Sequence, residues 1–202
     1  MSKQTILASI RAATGALHPK APLPDYDPEL TVSAAKLAGG GLESVLAQNL
    51  TAVGGRAMTS AAELAAFLSG NGRHRGYCDP ALYETVGATL AAAGLAVETT
   101  YDRARYDDYQ FGITRATGAI AESGTLILDD DLTASRLAAL SPWVHVAVLD
   151  RRSIHRSIAD ALAALGESPN VIWVTGPSKT ADVEGILIEG VHGPGEQIAL
   201  LV

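Results

Sequence analysis

The sequence predicts an α/β fold, a largely parallel sheet with helices on both faces. Three observations lead there. Short apolar runs alternate with amphipathic helical stretches through the second half of the chain. The runs, VHVAVL and IALLV among them, are almost continuously apolar, as strands are when helices cover both sheet faces. The chain has 202 residues, 48% hydrophobic and 18% charged, enough for one well-buried domain.

Taken in order, MSKQTILASIRAATG reads as an amphipathic helix. It carries one lysine and a very short apolar run, unlike a signal peptide. A proline-rich loop, HPKAPLPDYDPE, and an alanine-rich stretch broken by Gly39, Gly40 and Gly41 follow. Residues 1–53 therefore read as a helical arm packing on a core domain of residues 54–202. Ser60 and Glu63 have capping-box spacing ahead of Leu64, Phe67 and Leu68. HRGYC is a strand candidate. Asp79 and Pro80 start a second helix with Leu82, Val86 and Leu90 on one face, and Gly94 stops it. LAVETT and TLIL are strands; a helix spans residues 132–140 and ends before Pro142. WVHVAVLD, a helix carrying Ile158, Leu162 and Leu165, and NVIWVTG complete the alternation. The closing GILIE and IALLV lack a helix-length spacer, which predicts a hairpin or an antiparallel edge.

Bulk composition excludes several functions. A net charge of −7 argues against a nucleic-acid partner, since phosphate binding needs a basic face. Cys78 is the single cysteine, so no intrachain disulfide forms, and the four thiolates of an ordinary iron–sulfur cluster are missing. No run approaches the ~18 apolar residues of a membrane span. A cytoplasmic protein is expected. GAIAESG is not GxGxxG, which leaves no dinucleotide fingerprint.

Two loops can carry chemistry near the C-terminus. GPSKT fails the Walker pattern, because Ser178 stands where a glycine must precede Lys179. Free amides at Gly176 with Ser178, Lys179 and Thr180 still offer a cradle for a carboxylate or phosphate; the competing reading is a polar turn capped by its own hydroxyls. In GVHGP, glycines at 190 and 193 and Pro194 hold His192 on a shaped loop as a candidate proton carrier. Both loops are expected at the carboxyl end of the parallel sheet, where such folds bind ligands.

A third candidate is GITRATGAIAESGTLILDDD, residues 112–131. Glu122 precedes a core strand, where desolvation suits acid, base or nucleophile work; a plain acceptor for turn amides is the alternative. Thr114, Ser123, Gly124 and Thr125 join it as ligand-binding candidates. Asp129, Asp130 and Asp131 fit a helix start better than a magnesium site. His145 lies in a strand and reads as a core or face residue; His18, His74 and His155 show no metal-ligand spacing with each other or with Cys78, and no metal site is expected.

The ordered segments GITRATGAIAESGT, SPWVHVAVL, TGPSKTADVE and GVHGP resemble the LUD-domain family, and more narrowly its lactate-utilisation C group, over residues 54–202. The resemblance implies a three-layer α/β/α fold of the kind shared by ribose-5-phosphate isomerase, glucosamine-6-phosphate deaminase and CoA transferases. It also implies a part in oxidising L-lactate to pyruvate beside iron–sulfur partner proteins, with the clusters held by those partners. Lys179 stands where arginine is common in the family, keeping charge but losing a bidentate donor. Glu122-Ser123-Gly124 has the residue order of the glutamate turn that accepts acyl groups in class I CoA transferases. Two further functions stay open: a self-sufficient enzyme of acyl-CoA or sugar-phosphate chemistry, and an interaction scaffold.

Overall fold

The computed structural model describes residues 2–15, 27–130, 132–133, 135–166, 168, 170–181 and 187–202. Its contacts divide the chain into Met1–Thr31 and Val32–Val202. In the first unit, helix α1 (Lys3–Gly15) is exposed along its length and a 3-10 turn spans Pro28–Thr31. Most of the proline-rich loop, with His18, lies outside the described residues.

The second unit is built on a six-stranded sheet. Its strands are β1 (Arg56–Met58), β2 (Arg75–Cys78), β3 (Ala96–Glu98), β4 (Phe111–Arg115), β7 (Val144–Leu149) and β12 (Glu196–Leu201). They lie in the order β1-β12-β7-β4-β2-β3 with every pairing parallel. The mostly parallel α/β architecture is as expected. The last strand is not an edge, however. IALLV lies between β1 and β7, because its fully apolar run suits a strand covered on both faces.

Alternation along the strands divides the core in two. Val144, Val146, Val148, Ile198 and Leu200 face α3 (Ala61–Gly70) and α4 (Ala88–Ala92), whose Leu64, Leu68 and Leu90 are fully buried. Ala147, Leu149, Ala199 and Leu201 face the other way, onto Val45, Leu46 and Leu50 of helix α2 (Leu42–Ala52). That face also carries a second sheet, in the order β8-β5-β6-β9, of β5 (Gly118–Ile120), β6 (Thr125–Asp129), β8 (Ile154–His155) and β9 (Val171–Val174). TLIL and NVIWV thus pair antiparallel with each other, outside the parallel sheet. Their apolar character reports burial, not which sheet they join.

Helix starts depart from expectation in detail. Ser60 caps α3 by accepting the Ala62 amide, so no full capping box forms there. The Asp79–Pro80 helix begins as a 3-10 turn, passes through a π turn at Tyr83–Gly87, and becomes α4 only at Ala88. Its Leu82, Val86 and Leu90 are buried as predicted. The helix expected over 132–140 is α5 (Arg136–Leu140), capped by Ser135. On α6 (Ile158–Ala164) the buried residue is Ala161, while Ile158 and Leu162 are exposed. A small side chain lets α6 sit close to the second sheet, which turns the larger ones outward. GILIE pairs as the antiparallel hairpin β10 (Lys179–Ala181) and β11 (Leu187–Glu189), with Gly185 and Ile186 outside the described residues.

Candidate functional site

The two C-terminal loops come together, but at the amino end of the parallel sheet. GVHGPG leads directly into β12, and Trp143 leads into its parallel neighbour β7; the Glu196 amide donates to the Trp143 carbonyl at 3.0 Å. The expectation of a carboxyl-end site fails because GPSKT follows β9, a strand of the second sheet. The Ser178 amide donates to the Pro194 carbonyl at 2.8 Å, and the Gly190 amide donates to the Ser178 carbonyl at 2.9 Å. Gly193 lies beside the Ser178 side chain, where a β-carbon would stand 3.3 Å from Ser178 Cβ.

Trp143 is the centre of this cluster, and the sequence alone did not reveal it. Its indole lies against Gly190 and Gly195, where β-carbons would collide with the six-membered ring. These glycines form a floor that no larger residue can replace. The Arg73 guanidinium is 5.6 Å from the ring centroid, a cation–π distance. Two cavities flank the indole. One, of about 340 Å³, is lined by Arg73, Asp107, Gln110, Ser141, Trp143 and Gly193 among others. The other, of about 300 Å³, includes Gly54, Arg56, Glu189 and Gln197.

Lys179 is already engaged. Its ammonium donates to the Val53 carbonyl at 3.1 Å, at the C-terminus of α2, where the helix dipole favours a cation. Glu189 stands 3.7 Å away across the hairpin. Thr180 pairs with Ile188 in the hairpin, and His192 is exposed on its loop. Gly176 has φ +80 and lies against the Val53 carbonyl.

The Glu122 turn is buried. One carboxylate oxygen accepts the Ser33 amide at 3.2 Å and the other accepts the Ile158 amide at 2.9 Å. Both partners are backbone groups, so the carboxylate acts as a brace between two segments. Gly124 adopts φ +66 and lies directly against the α2 backbone at Asn49 and Leu50. The Asn49 side-chain Nδ2 donates to the Ala121 carbonyl at 2.8 Å. A hydroxyl ladder links Ser123 to Thr125 and Thr125 to Thr175, each step 2.7 Å, ending beside Gly176. The last part of α2 therefore touches both the Glu122 turn and GPSKT.

Thr114 belongs to a separate buried chain across three strands. Its hydroxyl lies 2.9 Å from His145 Nε2, and His145 Nδ1 lies 2.9 Å from Gln197 Oε1. A carbonyl oxygen only accepts, so Nδ1 carries the proton and Nε2 accepts from Thr114. Burial pushes His145 down to about 4, partly opposed by the Gln197 hydrogen bond. At the carboxyl end of the sheet, buried Asp79 pairs with Arg115 at 3.1 Å. Burial pushes the neighbouring Cys78 thiol up to about 12, and the Asp79 charge adds to the effect.

Asp129 accepts the Leu132 amide at 2.9 Å, and Asp130 pairs with Arg136 at 3.0 Å and accepts from Asn170. These two shape the approach to α5, while Ser135 caps it; Asp131 lies outside the described residues. Among the described residues, no three His, Cys, Asp or Glu side chains gather as a metal site. No described helix is long and apolar enough to cross a membrane.

The sequence model of the LUD domain matches residues 77–202. A lactate utilization protein C from Deinococcus radiodurans is 32% identical over 120 residues, covering 57% of this chain and 55% of that protein. Another, from Bacillus subtilis, is 33% identical over 99 residues, covering 45% of this chain and 41% of that protein. The chain thus spans about half the length of the curated relatives it matches. The crystal structure of a DUF162 family protein from Deinococcus radiodurans superposes with a TM-score of 0.55 at 22% identity. It covers 79% of this chain and 98% of that one, a likeness of fold alone.

Proposed function

Since the chain belongs to the LUD-domain family, whose model spans residues 77–202, we propose that it is a lactate-utilisation component. It is the non-redox subunit or partner of an assembly oxidising L-lactate to pyruvate, and it holds a small anionic ligand in the cleft around Trp143. Iron–sulfur partner proteins carry the electrons, since one buried cysteine cannot supply a cluster's ligands. The names of the curated relatives support the pathway.

One observation carries the site. The segments SPWVHVAVL, TGPSKT and GVHGP, far apart in the chain, meet at one cleft through the Trp143, Ser178 and Pro194 backbone bonds. Ser178 stands beside Gly193, which lines the cleft, and this supports reading Ser178, Lys179 and Thr180, with the exposed His192 as proton carrier, as the loops that border the ligand. Glu122 enters as a positioning residue, bracing the turn that α2 connects to GPSKT.

The test is reconstitution with the iron–sulfur partners, measuring lactate oxidation with and without this chain. The expected outcome is that oxidation requires the chain. Full oxidation in its absence overturns the proposal.

A further inference from the structure

We propose that the outer edge of strand β9 accepts an extended peptide segment, apolar and carrying an acidic residue, as an added strand of the second sheet. The inference goes beyond the lactate-utilisation reading and does not depend on it.

The first support is an open backbone edge. Strand β9 ends its sheet, pairing with β6 alone among the described residues. The Asn170 carbonyl accepts the Asp130 amide at 3.3 Å, on the β6 side. Alternation along an antiparallel strand then turns the amide and carbonyl groups of Val171 and Trp173 outward. Among the described residues, no hydrogen bond reaches them there. Both faces of the strand are packed. Ile172 and Val174 lie against the core that contains Leu46 and Leu50, while Val171 and Trp173 lie against Ile120, Ile127 and Ala161. Edge strands are ordinarily blunted by a charge, a proline or a covering segment, and VIWV holds neither charge nor proline. Strand addition satisfies such an edge through backbone bonds.

A second and independent support is the cavity at that strand. Ile172 lines a space of about 450 Å³ with Arg103, Arg136, Leu137 and Leu140 among others. It is larger than either cavity flanking Trp143. Helix α5 shapes it by burying Ala138 and Ala139 and leaving Leu137 and Leu140 37% and 38% exposed. A strand added beside β9 brings alternate side chains to the face where Ile172 lies, so apolar residues there cover the leucines.

Charge decides what kind of segment fits. The chain has a net charge of −7, yet two arginines line this cavity. Arg136 bonds Asp130 through Nε at 3.0 Å. Among the described residues no ion pair holds the exposed Arg103, so Arg103 supplies the uncompensated positive charge. An acidic side chain on the incoming segment matches it. A second copy of the same edge does not, since VIWV and its flanking Asn170 and Thr175 hold no carboxylate.

The experiment selects a display library of random peptides on the immobilised full chain, with the Arg103→Glu chain as counter-selection. Enriched peptides are expected to be apolar, to lack proline and to carry Asp or Glu. N-methylation of the leading synthetic peptide then tests the backbone without altering the protein. Methylating one alternate set of amides is expected to weaken binding about tenfold or more, and methylating the other set to change it little. Arg103→Glu is expected to weaken the same peptide about tenfold or more. Replacing the peptide's acid by lysine is expected to restore binding to that variant. Val171→Pro removes an outward amide and is expected to weaken binding as well. Thermal melts check that both variants fold; if Val171→Pro does not, the N-methylation pattern decides. Three results overturn the inference: no enriched peptide, tolerance of N-methylation at every position, or no rescue of Arg103→Glu by the lysine peptide. A fourth is a chain that sediments as a dimer and becomes monomeric in folded Val171→Pro, which gives the edge to a second copy instead.

Discussion

Lowering the pH places a definite load on one buried imidazole. His145 is 1% exposed, and its two nitrogens are committed to Thr114 and Gln197. Its folded-state pKa is about 4 against an ordinary 6.5. Between those values the unfolded chain takes up a proton that the folded chain refuses. Stability from this group is therefore fully present above about pH 6.5 and is lost as pH falls towards 4. A depression of two to three pKa units corresponds to about 3 kcal/mol. Carboxylates also titrate towards acid, so the wild type is compared with His145→Gln, which keeps the carboxylates and removes the imidazole. Urea unfolding is followed for both proteins between about pH 7 and about pH 4. The stability difference between them should hold constant above pH 6.5, then shift against the wild type by about 3 kcal/mol. Parallel curves across the whole range refute the buried neutral histidine. A His145 imidazole resonance titrating near 6.5 refutes it independently.

Two further outcomes follow from the Glu122 turn. Glu122→Gln leaves one of the Ser33 and Ile158 amides without an acceptor, costing about 1–3 kcal/mol and lowering the Tm by roughly 2–4 °C for each of these; an unchanged melting curve contradicts the brace. Gly124→Ala adds a β-carbon at φ +66 against the backbone of α2, which should cost about 3 kcal/mol or more, and wild-type stability in urea contradicts that close approach.

Much of the fold was legible because period and apolarity are local properties. WVHVAVLD, HRGYC and LAVETT became strands of one parallel sheet, and Leu82, Val86 and Leu90 became a buried stripe. What apolarity lacks is an address. TLIL and NVIWV look like parallel-sheet strands, yet they pair with each other in the second sheet; Gly124, in its left-handed conformation, reverses the chain so that β6 also pairs back on β5. Ile158 and Leu162 look like core residues, yet the small Ala161 sets which side of α6 is buried. Glycine and proline content marked GPSKT and GVHGP as shaped loops that belong together. Which sheet end they occupy depended on the partners of β9, which no local pattern encodes. Arg73 and Trp143 carried no signal, since an arginine in a loop and a tryptophan before a strand are each ordinary. Their pairing needs the alignment of β2, β4 and β7.

Helix α2 explains why the Glu122 turn belongs with a cleft that its carboxylate does not face. Its last turn accepts Lys179 at the Val53 carbonyl, meets Gly176 at the same carbonyl, and holds Ala121 through Asn49. The Ser123–Thr125–Thr175 hydroxyls form a second connection between the same two regions. Two glycines, Gly124 and Gly176, bring backbone against backbone at opposite ends of this link, so neither loop can move far without displacing α2. Leu46 and Leu50 of α2 are fully buried against the sheet, which fixes the helix in turn. A mutation at Glu122 then reaches the Trp143 cleft through packing and not through chemistry. It should alter binding only in proportion to the folded fraction, whereas a change in the lining of the cleft itself should alter affinity in molecules that remain folded.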